Sequence, residues 1–187
     1  MGTSAEKNAQ SEDAGFSQNK TTDISEKDNN NSIMIEDKKE QNEYCKTMLQ
    51  THNNYREKHK SNKLRINEDL NAMANKYAKF LLEQYSFGSK NNFDKDESLG
   101  ENILFSNQKE TETDICQKWY DENKNFEYGI NKFQKDTNHF TQLIWNSTTD
   151  VGFGFYNINN NYCYVALYYP QGNVFGQFTK NVFMPIS

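Results

Sequence analysis

Apolar positions in the first half of the chain recur with a helical period from about residue 43 onward. A first helix is predicted there because its larger side chains follow one another at steps of three and four: Tyr44, Met48, His52, Tyr55 and His59. A second helix is predicted from Asn67, an N-cap residue followed by two acidic residues that suit the helix dipole. Its apolar stripe has the same spacing: Leu70, Met73, Ala74, Tyr77, Ala78, Leu81, Leu82 and Tyr85. Two shorter helices are predicted near 111–125 and 137–145, the latter capped by Asp136 or Thr137.

The pattern changes to a period of two in the last third of the chain. Val151, Phe153 and Phe155 alternate with smaller or more polar residues, which predicts a half-buried strand. Residues 162–169 form a more continuous apolar run, which suits a central strand, and the Asn-rich stretch between the two predicts an antiparallel hairpin. Helices come first and strands last, so the sequence favours an α+β fold.

The first 40 residues differ from the rest in composition. They hold nine acidic and five basic residues and so carry −4 of the formal net charge of −5. Their apolar residues are scattered, so the segment cannot bury enough surface to offset the entropy of ordering. The sequence therefore predicts a disordered polar tail over 1–40 and one domain over 41–187. Docking of Ile33–Ile35 on that domain stays open.

Composition excludes several classes of protein. The acidic balance argues against non-specific nucleic-acid binding, and no apolar run approaches the roughly 18–20 residues of a membrane-spanning helix. Three widely spaced cysteines, Cys45, Cys116 and Cys163, fit neither a disulfide framework nor a CxxC metal site. Cys116, in a helix stripe, and Cys163, in a strand, are expected to be buried. Together with a polar N-terminus these features favour an intracellular or membrane-associated protein. Gly2 would permit myristoylation, but Glu6 stands where Ser or Thr is preferred.

Three residues are candidates for chemistry: Glu101, Glu122 and His139. The sequence contains none of the common metalloprotease, P-loop, dinucleotide or serine-hydrolase motifs. Each candidate also has a plain structural interpretation. Glu122 suits a solvated helix position, Glu101 a loop position beside a backbone donor, and His139 a packed helix position, and spacing alone does not bring them together.

Five ordered motifs strongly resemble those of the CAP superfamily, which includes cysteine-rich secretory, antigen 5 and pathogenesis-related proteins. They are HNNYR at 52–56, GEN at 100–102, WYDE at 119–122, HFTQLIW at 139–145 and YYPQGNV at 168–174. The motif residues that we assign to structure are His52, Arg56, Asn102, Trp119, Trp145, Gly172 and Asn173. The resemblance covers about residues 43–185 and is closest to the Golgi-associated plant pathogenesis-related branch.

The resemblance implies an α–β–α three-layer sandwich with a central antiparallel sheet and a cleft lined by two histidines and two glutamates. Glu101, Glu122 and His139 match three of those four positions, and Gly88 stands near the fourth, where the family has histidine. A divalent cation such as zinc would then have only three ligands and low affinity, since zinc favours several nitrogen or sulfur donors. A structural cluster of the same three residues is the alternative.

Three functions follow as hypotheses. The first is a non-enzymatic module that binds lipid or sterol or associates with a membrane surface. The second is a metal-assisted hydrolase or protease that uses Glu101, Glu122 and His139. The third is a self-associating signalling domain, for example a homodimer. Most of the resembled family is extracellular, so a secreted location is the alternative to an intracellular one.

Overall fold

Helices and strands alternate along most of the chain. A computed structural model describes residues 23–87, 92–94 and 96–186, with side chains from residue 38 onward. The chain divides into two compact units, 1–38 and 39–187. The elements, in chain order, are α1 (Asp23–Lys58), β1 (Arg65–Ile66), α2 (Glu68–Phe87), β2 (Gly100–Ser106), α3 (Glu112–Tyr120), a 3₁₀ helix (Asp121–Asn125), α4 (Asn138–Leu143), β3 (Asp150–Ile158), β4 (Asn161–Tyr169) and α5 (Phe178–Asn181). In the described part of the chain, no helix has both the length and the apolar character needed to cross a bilayer.

Helix α1 begins at Asp23, inside the segment predicted to be a disordered tail. Residues 23–40 are therefore helical in the structure, whereas 1–22 lie outside the described residues. Residues 34–41 are rich in good helix formers, and each residue added to an existing turn gains one backbone hydrogen bond. The polar tail over 1–40 and the domain boundary after it stay predictions.

The sheet has four strands in the order β1–β3–β4–β2. β4 pairs antiparallel with both neighbours, and β1 adds a two-residue parallel pair at the edge of β3. The predicted hairpin is confirmed. Its two turn residues, Asn159 and Asn160, have φ of 49° and 62°, which is the left-handed region that a two-residue hairpin turn requires and that asparagine tolerates.

Side chains on the two faces of β4 belong to two different cores. Cys163, Val165 and Leu167 pack with α2, and Tyr164, Ala166 and Tyr168 pack with α1, α3 and α4. Helices thus cover both faces of the sheet, as the predicted α–β–α sandwich requires. Burial on both faces explains why this strand is a continuous apolar run.

Helix α2 packs closely against β3. A Cβ atom added at Gly152 would lie 2.2 Å from the Leu70 carbonyl carbon, so the backbones approach more closely than any side chain would permit. Asn71 Oδ1 accepts a hydrogen bond from Phe153 N at 2.8 Å, and Asn75 Oδ1 accepts one from Phe155 N at 3.1 Å. Helix α2 therefore accepts hydrogen bonds from backbone N–H groups of β3 that β1 is too short to pair with.

Three elements were not predicted: β1, β2 and α5. β1 and α5 have two and four residues, too few for a periodic pattern to emerge. β2 carries Glu101 and Asn102 at its start, where polar residues obscure the alternation of a strand. The predicted third helix stops at Tyr120 and continues as the 3₁₀ turn.

Candidate functional site

The structure brings Glu122 and His139 into direct contact. His139 Nδ1 lies 2.5 Å from Glu122 Oε1. The other carboxylate oxygen accepts hydrogen bonds from the backbone amides of His139, at 2.8 Å, and Phe140, at 3.2 Å. These amides open α4, so the carboxylate caps that helix. Thr137 occupies the cap position as predicted, but its hydroxyl donates to the Gln134 carbonyl instead, which leaves the capping role to Glu122.

These contacts set the charge state of Glu122. Partial burial would raise the pKa of its carboxyl group, but hydrogen bonds from the His139 ring and from two backbone amides outweigh that effect and lower it. The ring of Trp119 stacks on the His139 ring, with centroids 6.4 Å apart. A histidine oriented by a carboxylate is an arrangement that general bases and metal ligands both use, so the chemistry depends on what else is near.

Glu101 does not join this pair. It lies opposite Leu167 in the β2–β4 register and therefore on the α2 face of the sheet, whereas its neighbour Asn102 faces α4. Burial, followed by the charge and a hydrogen bond of Glu101, raises the pKa of Tyr77 in α2 to about 12, which places Glu101 beside that residue. The expected convergence of the three candidates is thus wrong for Glu101, because successive residues of a strand point to opposite faces.

The donor set does not fit a zinc ion. Among the described residues, no three His, Cys, Asp or Glu side chains are grouped so that they could hold a metal. His139 Nδ1 is occupied by Glu122, and Gly88, the fourth position, lies outside the described residues. The predicted low-affinity site of Glu101, Glu122 and His139 is therefore not formed.

The motif residues His52 and Asn102 form a buried hydrogen-bonded chain through Tyr168. His52 Nδ1 lies 2.8 Å from the Met48 carbonyl, which can only accept, so Nδ1 carries the proton and Nε2 accepts from Tyr168 Oη at 2.9 Å. Asn102 Nδ2 donates to Tyr168 Oη at 3.2 Å and to the His139 carbonyl at 3.0 Å. Burial lowers the pKa of His52 to about 3 and keeps the ring neutral. The chain links α1, β2, β4 and α4.

Arg56 joins three backbone segments. Its guanidinium is fully buried and donates to the carbonyls of Asn62, Leu143 and Thr148 at 2.6–3.0 Å. Burial lowers its pKa to about 10. The three bonds hold these segments together around one side chain.

The last motif is also structural. Gly172 N donates to Gln142 Oε1 at 2.8 Å, and a Cβ atom at Gly172 would lie 2.8 Å from the Trp145 ring. Asn173, with φ of 57°, bonds both Thr141 and the Asn138 carbonyl. These contacts hold the segment after β4 against α4.

A groove that the sequence analysis did not anticipate lies where α2 and β2 end and β4 begins. It has a volume of about 490 Å³, and its lining includes Tyr85, Phe105, Glu110 and Lys118. Tyr85 was expected in the buried stripe of α2 but is 72% exposed in the last turn of that helix, where the Phe105 ring stacks on it. The predicted burial of Cys116 and Cys163 is confirmed, and Cys45 is buried as well.

The comparisons with known proteins agree with this fold. A family model described as "Cysteine-rich secretory protein family" (CAP) matches residues 49–169. The human Golgi-associated plant pathogenesis-related protein 1 is 30% identical over 141 residues, which cover 74% of this chain and 91% of that protein.

Solved structures are similar as well. Venom allergen-like protein 4 of Schistosoma mansoni superposes with a TM-score of 0.59 at 22% identity, covering 78% of this chain and 96% of that one. NaASP2, solved with Zn²⁺, superposes with a TM-score of 0.57 at 19% identity, covering 76% and 85%. The family match spans well over half of the chain, and the chain belongs to the cysteine-rich secretory protein (CAP) family.

Proposed function

We propose that this chain is a non-enzymatic module that associates with anionic membrane surfaces. One observation supports the proposal most directly. Two neighbouring loops present exposed phenylalanines, Phe133 at 54% and Phe175 at 83% exposure. Aromatic side chains that are exposed on a protein surface are favoured at the boundary between water and lipid.

The two loops are tied together rather than independent. Asn131 Nδ2 donates to the Gly176 carbonyl at 2.7 Å, and Asn131 Oδ1 accepts from Thr179 N at 3.4 Å. The first bond joins the loop of Phe133 to the backbone next to Phe175, and the second joins it to α5, which follows that loop. The two loops are therefore held together, so both rings can enter a membrane in one step.

The charge around this surface is opposite to that of the whole chain. Segments 129–136 and 171–186 contain three lysines, Lys132, Lys135 and Lys180, and one acidic residue, Asp136, whose Oδ2 lies 3.8 Å from Lys135 Nζ; their formal charge is +2, although the chain has a net charge of −5. Each lysine near an anionic bilayer contributes about 1 kcal/mol. Basic residues beside apolar rings suit acidic phospholipid rather than neutral lipid.

An enclosed sterol site has less support. In the described part of the chain, the larger cavity is lined mainly by polar residues and the smaller one holds about 40 Å³, so neither resembles the apolar pocket expected for a buried sterol. Hydrolysis through Glu122 and His139 also has little support, because that carboxylate already accepts three hydrogen bonds. A Golgi association is part of the name of the human relative, and we extend it to this chain as a membrane-associated, intracellular location.

Vesicle flotation tests the proposal. The full chain should float with vesicles of phosphatidylcholine and phosphatidylserine and remain behind with phosphatidylcholine alone. Phe133→Ser together with Phe175→Ser should remove most of the bound fraction. Tyr85→Ser is the matched control, since it removes an equally exposed aromatic ring elsewhere.

Equal flotation with neutral vesicles, or full binding by the double variant, would contradict the proposal. Light scattering on the same samples separates membrane binding from self-association. If the double variant of Phe133 and Phe175 still forms a dimer, then dimer formation, which is the third hypothesis, uses another surface.

A further inference from the structure

The groove beside Tyr85 is large enough for a ligand and is unrelated to the membrane surface proposed above. It opens where the last turn of α2, the end of β2 and the start of β4 meet, and Lys118 of α3 completes it. Its volume of about 490 Å³ lies within the range of small-molecule sites, about 300–1,000 Å³.

One wall is an exposed aromatic platform. The rings of Tyr85 and Phe105 stack with centroids 5.4 Å apart and planes 28° apart, and both remain open to solvent, at 72% and 43% exposure. An aromatic face carries partial negative charge, so it attracts the partially positive C–H groups of a flat ligand ring. Because these two stacked rings already face water, a ligand can contact them without any rearrangement of the protein.

The opposite wall is polar but carries no net charge. Lys118 Nζ lies 2.5 Å from Glu110 Oε1, and the Glu110 side chain is only 6% exposed. The Lys118 hydrogen bond lowers the pKa of Glu110, so the pair stays ionised. Since each charge is compensated by the other, the groove offers little to an anionic or a cationic ligand.

The remaining polar lining comprises two hydroxyl residues, Ser106 and Tyr162, and three amides. The side chains of Asn107, Gln108 and Asn161 each offer a hydrogen-bond donor and an acceptor. A hydroxyl group is also both a donor and an acceptor, so it can bond each amide in either direction. A ligand with flat C–H faces and hydroxyl edges therefore matches both walls.

The groove continues beyond its main volume. A smaller cavity of about 40 Å³ shares Glu110 and Tyr162 with it and extends toward Tyr164 and Phe155. Tyr162 and Tyr164 stack with planes only 4° apart on the other face of the sheet, away from the Tyr85–Phe105 pair. The main groove is therefore the part with room for a ligand ring.

We propose that this groove binds a neutral carbohydrate through the Tyr85–Phe105 platform. Sugar rings lie on the aromatic faces, and their hydroxyl groups bond the amides of Asn107, Gln108 and Asn161. The proposal is independent of membrane association.

Cosedimentation of the full chain with insoluble cellulose, chitin, β-1,3-glucan and mannan tests this. We expect at least one of these neutral polysaccharides to retain the protein, also in about 0.5 M NaCl, a salt concentration that screens ionic contacts. Tyr85→Ala with Phe105→Ala should weaken the binding by about tenfold or more, the loss expected when the stacking surface is removed. Phe175→Ala, which changes an exposed ring outside the groove, should not weaken it.

The proposal is overturned if none of the four polysaccharides retains the protein. It is also overturned if the double variant binds as well as the wild type, or if the protein is retained by heparin beads alone and is released by salt. Thermal melting confirms that the variants fold, and the single change Tyr85→Ser replaces the double variant should that one unfold. Loss of vesicle flotation in these variants would instead count against the separation of the two surfaces.

Discussion

Replacement of Glu122 distinguishes a structural carboxylate from a catalytic one. Glu122→Ala removes the acceptor for two amides at the start of α4 and for the His139 ring. Loss of a helix cap costs about 1 kcal/mol, and loss of a charged hydrogen bond about 2 kcal/mol. The Glu122 and His139 side chains are 21% and 30% exposed, so water replaces part of what is lost.

We therefore expect Glu122→Ala to lower the free energy of unfolding by about 2–3 kcal/mol at neutral pH. For a chain of this length, that corresponds to a fall in melting temperature of about 4–12 °C. Glu122→Gln keeps an acceptor for the amides but loses the charge, so it should cost about half as much. Urea unfolding followed by tryptophan fluorescence measures the effect, since Trp119 stacks on His139.

The pH dependence supplies an independent check. The pKa of Glu122 is lower in the folded chain than its ordinary value of 4.5, so the unfolded chain takes up this proton first as pH falls. The stabilisation from the charge is complete above that ordinary value and is lost as pH falls through the lower, folded pKa. The difference in stability between the wild type and Glu122→Gln should therefore narrow in acid.

Glu127→Gln is the control, because it removes one exposed carboxylate a few residues away. Our interpretation is refuted if Glu122→Ala melts within about 1 °C of this control. If the stability difference between the wild type and Glu122→Gln is constant from neutral to acid pH, then the negative charge assigned to Glu122 is refuted.

Two further predictions concern the scaffold. Gly152→Ala should destabilise the fold by about 1–3 kcal/mol or more in urea unfolding, since its Cβ would lie 2.2 Å from the Leu70 backbone; an unchanged midpoint would show that α2 can shift outward. His52→Gln should flatten the fall in stability below pH 6.5, because the unfolded histidine gains a proton there and the folded one, with a pKa of about 3, does not. Parallel stability curves for this variant and the wild type from about pH 7 to 5 would contradict the buried, neutral ring.

The layers of the fold could be predicted because they depend on periodic burial. The hairpin followed from alternation before a run of asparagines, and the long second helix followed from its apolar stripe. Tyr85 was misplaced because it continues the stripe into the last turn of α2, where its ring stacks on Phe105 of β2 but stays 72% exposed. An apolar stripe indicates which face of a helix is buried, but not how completely each turn of that face is covered.

The candidate site was predicted only in part because it depends on which face each residue occupies. Glu122 and His139 meet since the 3₁₀ turn delivers a carboxylate to the first amides of α4. Glu101 was grouped with them from a motif, but β2 was not recognised as a strand. Once Gly100–Ser106 is a strand, Glu101 and Asn102 must point to opposite faces, and only one of them can approach His139.

Several residues that carry the family resemblance connect segments of the scaffold. Arg56 and Asn102 donate hydrogen bonds to backbone carbonyls of other segments, and the Glu122 carboxylate accepts hydrogen bonds from backbone amides of α4. None of the five motifs contains Tyr85 or Phe175, the exposed rings at the two surfaces proposed to bind ligands. Because a fold can carry unrelated functions on its surfaces, variants of those rings test function, whereas variants of the motif residues test stability.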